Sequence, residues 1–248
     1  MAIRRGTIFF VVFAVAVSAG CLRLGFWQLD RLRERKAANA EIMARLGEAP
    51  VPIERLRAHT GVRFRPATAR GTYDFANEMV LTSRGRNGAP GVHVITPLRL
   101  ATSDTAVLVN RGWVYSPDGM RIELAPFRED SVAIVEGYVE EFSPSPGPVS
   151  ISSATRGVRR LHRDSLAAML PYPIAPVVLV QQRDSGESVA VERGTPVRVE
   201  PPRMGEGPHL SYAIQWFGFA LVGVAGSILV LQRDRARHPE GTNRAQPR

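Results

Sequence analysis

Two long, uncharged, apolar runs lie near the two ends of the chain, and they limit what it can fold into. The first covers residues 7–22 and the second covers residues 210–231. A helix of about 20 apolar residues is long enough to cross the ~30 Å hydrocarbon core of a bilayer. The sequence therefore predicts two transmembrane helices, at 7–27 and 209–232.

The charges beside these runs predict the orientation of the chain. Basic residues precede the first run and follow the second: Arg4 and Arg5, then Arg233, Arg235 and Arg237. Short basic segments next to a membrane helix normally stay in the cytoplasm. We therefore expect cytoplasmic tails at 1–6 and 233–248 in a bacterial plasma membrane, with the central domain on the periplasmic side.

The single cysteine allows a different interpretation of the first run. Residues 18–21 read Ser-Ala-Gly-Cys, which is similar to a lipoprotein cleavage site with Cys21 as the acylated residue. Ser18 stands where such a site usually has an aliphatic residue. The alternative to a membrane helix is thus a cleaved, lipoprotein-type binding module. With one cysteine no internal disulfide can form.

Between the two runs the pattern changes from helical to extended. Helical spacing continues over 28–49 as a polar stalk, which Pro50 and Pro52 end. Beyond it, apolar residues alternate in short segments separated by turns, and one short helix is expected at 161–170. The strands are predicted at 63–73, 79–84, 92–98, 106–115, 132–142, 177–182 and 197–199. The fold class is therefore a membrane α + β protein, in which two transmembrane helices flank an antiparallel β-rich barrel or sandwich domain at 50–208 with one short helix.

Composition and motifs exclude several classes of function. The formal charge is +9, but the arginines are spread along the chain without a basic block, so we expect no nucleic-acid partner. No nucleophile elbow, zinc-protease helix, P-loop or dinucleotide fingerprint occurs, and we expect no enzymatic activity. The pair Arg84 and Arg86 fits an anion site or, more simply, a hairpin turn. His59, His93, His162 and His238 have no partner at ligand spacing, and His93 is expected to face water.

His209 differs from these histidines because it opens the second apolar run. An ionisable side chain at a membrane edge is costly unless it is used or solvated. At 100° per residue, one helix face carries His209, Tyr212, Ala213, Trp216, Ala220 and Gly223. Imidazole is a common axial ligand of haem iron, and small residues leave room for a macrocycle or for another helix. The simpler interpretation is an interfacial anchor on a helix that packs through small residues, and the residues alone favour it.

Several segments, in order, resemble the surfeit locus protein 1 family. They are the exit from the first apolar run at 24–31, the bend at 71–73, the strand at 94–98, the motif at 108–114 and the start of the second run at 209–217. The resemblance covers about residues 8–232. The family-motif positions outside the second run are Gly25, Trp27, Gln28, Arg31, Gly71, Arg111, Gly112 and Trp113.

This resemblance implies a function. Family members are assembly factors for haem-copper cytochrome c oxidase and are linked to the placement of haem a in its catalytic subunit. By this resemblance His209 is the expected iron ligand of a transiently bound haem a, and Tyr212, Gln215 and Trp216 are motif positions beside it. The expected partners are the oxidase catalytic subunit, the haem a synthesis machinery and membrane lipids. The alternative is a membrane scaffold that docks oxidase subunits without binding haem.

Overall fold

The computed structural model describes residues 4–56, 61–151, 156–182, 195–202 and 204–237. His59, His238 and the rest of the predicted C-terminal tail lie outside these ranges. The described chain contains three α-helices: α1 (Arg5–Leu46), α2 (Arg163–Ala167) and α3 (His209–Arg237). It forms two compact units, Met1–Glu41 with Met204–Arg248 and Ile42–Arg203.

The helices α1 and α3 are both long and apolar enough to cross a membrane. Only 17% and 11% of their most apolar windows are buried, so they are not core helices of a soluble domain. They are consistent with the predicted membrane protein. With 42 residues α1 is about 63 Å long, so the predicted membrane helix and stalk form one continuous helix.

In the first unit α1 and α3 pack as an antiparallel pair. A Cβ on Gly25 would lie 2.5 Å from the ring of Phe217, and a Cβ on Gly223 would lie 2.3 Å from Ser18 Oγ. These glycines therefore allow an approach that a larger residue would prevent. At the far end of the pair, the backbone N–H of Arg4 donates to Asp234 Oδ2 at 3.2 Å.

The buried residues of the two helices repeat with a coiled-coil period. Those of α1 are separated by three, four or seven positions, and those of α3 by seven: Ser18, Cys21, Gly25, Leu32 and Asn39, and Ala213, Ala220 and Ser227. Spacings of three and four keep one stripe of each helix facing its partner. The small residues thus form a narrow seam, and the large apolar residues remain on the outside.

The second unit is a nine-stranded, sandwich-like sheet. Its strands are β1 (Val51–Pro52), β2 (Pro66–Tyr73), β3 (Met79–Leu81), β4 (Gly91–Leu100), β5 (Ala106–Tyr115), β6 (Val132–Glu140), β7 (Val149–Ile151), β8 (Arg156–Val158) and β9 (Ile174–Gln181). The order across the sheet is β1-β2-β6-β9-β5-β4-β3-β8-β7. The sheet also coils far enough for the end of β2 to pair with β4.

The sheet is mixed rather than wholly antiparallel. Three of its pairings are parallel: β1 with β2, β3 with β8, and β5 with β9. Parallel neighbours need a long crossover connection, and the chain between β5 and β9 supplies one that contains α2. The predicted helix at 161–170 is shorter than expected, and His162 accepts from Ser165 N–H at its start.

Two glycines allow strands to cross closely in this sheet. A Cβ on Gly71 would lie 2.0 Å from the carbonyl oxygen of Arg99, and a Cβ on Gly137 would lie 2.0 Å from that of Val180. Neither contact leaves space for a side chain. The family-motif position Gly71 is therefore required where β2 meets β4, and Gly137 has the same role where β6 meets β9.

Candidate functional site

His209 and Gln28 join the two apolar helices at one end of the seam. His209 is the first residue of α3, and its Nδ1 lies 2.9 Å from Oε1 of Gln28 on α1. A carboxamide oxygen only accepts hydrogen bonds, so in this pair Nδ1 carries the proton. The other ring nitrogen, Nε2, therefore keeps its lone pair. This is how second-shell contacts fix the tautomer of an iron-ligating histidine.

The surroundings of this pair combine glycine with aromatic rings. Phe26 and Phe217 stack edge to face between α1 and α3, with their centroids 5.3 Å apart. Gly207 has a φ of +71°, and a Cβ there would lie 3.4 Å from His209 Nε2. Because Gly207 lacks a Cβ, the space beside Nε2 of the imidazole is larger than it would be with any other residue at position 207.

The segment before α3 is held against α1 by polar contacts. Arg35 Nε and Asn39 Nδ2 both donate to the carbonyl oxygen of Gly205 at 3.2 Å. Lys36 Nζ lies 3.3 Å from a carboxylate oxygen of Glu206. These bonds fix the chain three and four residues before His209 and therefore limit where its imidazole can lie.

The other predicted positions of α3 are arranged less closely around His209 than the helical wheel indicates. Ala213 and Ala220 are buried, but Tyr212 and Gln215 are exposed. Trp216 packs edge to face on Phe219, with the ring centroids 5.9 Å apart. Ala213 and Ala220 thus lie in the seam, whereas the side chains of Tyr212, which was expected on the same face, and of Gln215 point away from it.

Two further motif residues of α1 lie on its exposed surface. The guanidinium of Arg31 lies 5.7 Å from the centre of the Trp27 ring and also pairs with Glu34 at 2.7 Å. Both residues are exposed. The exit motif contacts α3 through other residues, namely Gly25 and Phe26 against Phe217, and Gln28 against His209.

The chemistry of the donor set suits a single axial bond to haem iron. Among the described residues no group of three or more His, Cys, Asp or Glu side chains could hold a bare metal ion. A haem supplies four nitrogen ligands of its own and takes one imidazole from the protein. His209, with its oriented ring and its available Nε2, fits that requirement.

A second set of motif residues forms a buried charge network in the sheet domain. Arg111 on β5 is fully buried, and its Nη1 donates to Glu78 Oε1 at 3.2 Å while its Nε donates to Glu129 Oε2 at 3.1 Å. Its Nη2 donates to the carbonyl of Phe127. Arg198 adds a bond to Glu129 Oε1 at 2.5 Å. Arg111 thereby binds Glu78, Phe127 and Glu129, which lie in the connections between strands, to β5.

The neighbours of Arg111 in this motif have separate structural roles. Gly112 has a φ of +134°, and a Cβ there would lie 2.4 Å from the carbonyl oxygen of Val197. Trp113 donates from Nε1 to the carbonyl of Arg84 at 2.7 Å. Asn110 Nδ2 lies 3.1 Å from His93 Nδ1. The motif at 110–113 therefore positions several parts of the sheet domain.

The expectation that His93 faces water is wrong. Its imidazole is largely desolvated, which, with the positive charge of Arg84 nearby, lowers the pKa of His93 to about 4. Asn110 Oδ1 accepts from the N–H of Gly112, so its Nδ2 donates to His93 Nδ1. The proton of the neutral ring is therefore on Nε2, the opposite tautomer to that of His209. The alternation of His93 with Val92 and Val94 predicted one exposed face of β4. In the structure both faces of the strand are largely covered at this point.

Comparison with known proteins gives a consistent result. The family model described as SURF1 family matches residues 15–221. A SURF1-like protein of Drosophila melanogaster is 25% identical over 84% of this chain and 73% of its own length. An uncharacterized SURF1-like protein of Mycobacterium bovis is 23% identical over 90% and 83%. Surfeit locus protein 1 of Gallus gallus is 25% identical over 82% and 69%.

Proposed function

Since the chain belongs to the SURF1 family, we propose that it is a membrane-bound assembly factor for haem-copper cytochrome c oxidase that assists the insertion of haem a into the catalytic subunit. Its partners are then that subunit and the haem a synthesis machinery. The role is that of a chaperone, without a catalytic step.

The hydrogen bond between His209 Nδ1 and Gln28 Oε1 is the observation that carries the haem-binding part of the proposal. His209 would hold haem a, and the haem iron would supply the centre that the imidazole binds. Gln28 orients the ring of His209 and places the proton of its neutral form on Nδ1, which leaves Nε2 as the ligand atom. Gly207 leaves space beside the ring, and the polar contacts of Gly205 and Glu206 with α1 hold the segment before α3 in place.

The antiparallel helix pair supports a topology in which both termini are cytoplasmic. The start of α1 and the end of α3 lie together, where Arg4 meets Asp234. The basic residues on either side belong to the cytoplasmic face under the positive-inside rule. His209 then lies at the opposite, extracytoplasmic end of α3, and the sheet domain lies outside the bacterial plasma membrane.

The experiment is a spectrum of the intact protein. The full chain, expressed together with haem a synthesis and purified in a mild detergent, is expected to show a Soret band. His209→Ala removes the ligand and should abolish the band. Gln28→Leu keeps the ligand but loses the orienting acceptor, and an affinity loss of about 10–100-fold is expected.

Two variants serve as matched controls. Gln232→Leu changes a glutamine that is exposed on α3 outside the motif, and His162→Asn changes a histidine outside both apolar helices while keeping a good helix cap. Both should retain the wild-type band. A band that is unchanged in His209→Ala would refute the assignment of the ligand.

A scaffold that docks oxidase subunits without haem would give a different result from the same purification. Oxidase subunits would then co-purify with a protein that has no Soret band. The cleaved lipoprotein interpretation is tested by the mass of the intact chain. Cys21 is buried within the continuous helix α1, and we therefore expect the full mass without an acyl group.

A further inference from the structure

The sheet domain contains a cavity of about 470 Å³ that the proposed function does not use. This volume is within the range of small-molecule sites. Part of its wall is apolar and part is charged. The charged and polar side chains that matter most are Arg84, His93, Arg160, Glu140 and Glu141.

Arg84 is the most unusual residue of this wall. It is half-buried, its Nε is buried without a hydrogen-bond partner, and its Nη2 reaches only the carbonyl of Arg159 at 3.4 Å. Within the described ranges no carboxylate pairs with it. Burial and the nearby positive charge of Arg159 both lower the pKa of Arg84. An unpaired, partly desolvated guanidinium is costly in a folded protein, and an added anion would relieve that cost.

His93 lines the same cavity and adds a neutral donor to it. Since Asn110 donates to Nδ1, the ring carries its proton on Nε2. The low pKa keeps the imidazole neutral at physiological pH. The site therefore offers a hydrogen-bond donor beside the guanidinium without adding a second full charge.

The motif at 110–113 holds both groups in place. Asn110 fixes the ring of His93, and Trp113 fixes the backbone of Arg84 through a 2.7 Å hydrogen bond. Both residues belong to β5, one strand away from His93 on β4. A motif that otherwise stabilises the sheet thus also presents a donor and a cation to one cavity.

The remaining charges of the wall limit the ligand. Glu140 is paired with Arg63 at 2.8 Å, Glu141 accepts from the N–H of Gly61, and Arg160 donates to Ser145. Three arginines and two glutamates give the wall a net charge of +1. Two carboxylates in the wall disfavour a dianion. The other wall residues include Leu81, Leu161, Val178 and Val180, which favour an apolar body.

From these contacts we propose that this cavity binds a monoanionic carboxylate on an aliphatic body, with Arg84 as the cation and His93 as the neutral donor. The proposal is independent of haem. The sequence allowed an anion site formed by Arg84 and Arg86. The proposed site keeps Arg84, but its second group is His93 instead of Arg86.

The test is a calorimetric titration of the full chain, purified without haem a synthesis in an uncharged detergent. The probe is hexanoate, with hexanamide as its neutral isostere and inorganic phosphate as the dianion. Hexanoate should bind, and hexanamide should bind at least tenfold more weakly because it lacks the charge. Phosphate should bind more weakly than hexanoate.

Variants then assign the binding to the cavity. Arg84→Gln should weaken hexanoate binding on the order of tenfold or more, Arg84→Lys less, and His93→Leu by a smaller factor. Arg121→Gln removes an exposed arginine outside the cavity and should leave binding unchanged. A thermal unfolding curve of each variant verifies that it is folded.

Four results would overturn the proposal, and three of them need only the wild-type protein. Equal binding of hexanoate and hexanamide by the wild type would exclude a charged site, and tighter binding of phosphate would exclude the carboxylate class. No detectable binding of hexanoate would exclude the site. Wild-type affinity in a folded Arg84→Gln variant would place the anion elsewhere.

Discussion

Replacing Arg111 by methionine should be among the most destabilising single changes in the sheet domain. The guanidinium is fully buried, and Glu78 beside it is 2% exposed. Among the described residues, Arg111→Met leaves the buried carboxylate of Glu78 with Arg128 as its one cation, and it leaves Glu129 with Arg198 alone. Breaking a buried pair by removing one partner costs about 3–5 kcal/mol. We expect the free energy of unfolding to fall by that amount.

The assay is chemical unfolding of the purified full chain, followed by near-ultraviolet circular dichroism. Arg111→Lys keeps the charge but loses the planar fork, and it should lie between the wild type and Arg111→Met. Glu78→Gln removes the carboxylate that the methionine leaves unpaired. In the double variant the two changes should therefore cost at least about 1 kcal/mol less than their sum.

Arg63→Met provides the control because Arg63 forms a comparable pair with Glu140 at 2.8 Å but is half exposed. Exposed pairs contribute up to about 1 kcal/mol, so this variant should differ little from the wild type. If Arg111→Met is as stable as Arg63→Met, or if the double variant shows no coupling, the network does not stabilise the domain as argued.

Three further predictions concern the glycines and the buried histidine. Gly25→Ala should weaken the pairing of α1 and α3, because the added Cβ would overlap Phe217 of the neighbouring helix. Gly20→Ala is the control: the space around Gly20 is open, so this variant should be neutral or stabilising. Thermal unfolding in detergent compares the two variants. Gly71→Ala should strongly lower the unfolding midpoint of the sheet domain, because the added Cβ would lie 2.0 Å from the backbone oxygen of Arg99, which cannot rotate away. An unfolding midpoint equal to that of the wild type would contradict the close crossing of the strands. His93 has a folded pKa of about 4, below its unfolded value of about 6.5, so the unfolded chain binds the extra proton between these values. The free energy of unfolding should therefore fall by about 3 kcal/mol as the pH drops from 6.5 to 4. This loss should be absent in His93→Gln. Parallel curves of unfolding free energy against pH for the two proteins would refute the buried neutral histidine.

The sequence was sufficient for the two apolar helices, and it singled out His209 for attention, because these signals are local. A run without charges is visible in any short window, and one ionisable residue at its edge stands out. The strands β2, β3, β4, β5, β6 and β9 were also expected, since each lies in a segment long enough to show its pattern; for β3, which has three residues, that segment is 79–84. The strands β1, β7 and β8 have two or three residues each, and the segments around them show no such pattern.

The parts that could not be predicted depend on contacts between distant residues. Gln28 and His209 are 181 positions apart, so nothing near either one identifies the other as its partner. The parallel pairing of β5 with β9 follows from the crossover, which no single segment reveals. The burial of His93 is similar, because it depends on Asn110 and on the wall opposite β4 rather than on its neighbours in sequence.

The position of β9 also determines the order in which the sheet domain can be completed. This strand is the last of the nine in the described part of the chain, yet it lies between β5 and β6, and its partners on β5 are about 70 residues earlier. Contacts between such distant segments form slowly, because the chain must close a long loop first. Until β9 is in place, β5 and β6 each keep an unpaired inner edge, which is open to aggregation. Folding of the domain is therefore completed only when the strand that lies at its centre, and comes last in the sequence, has been inserted.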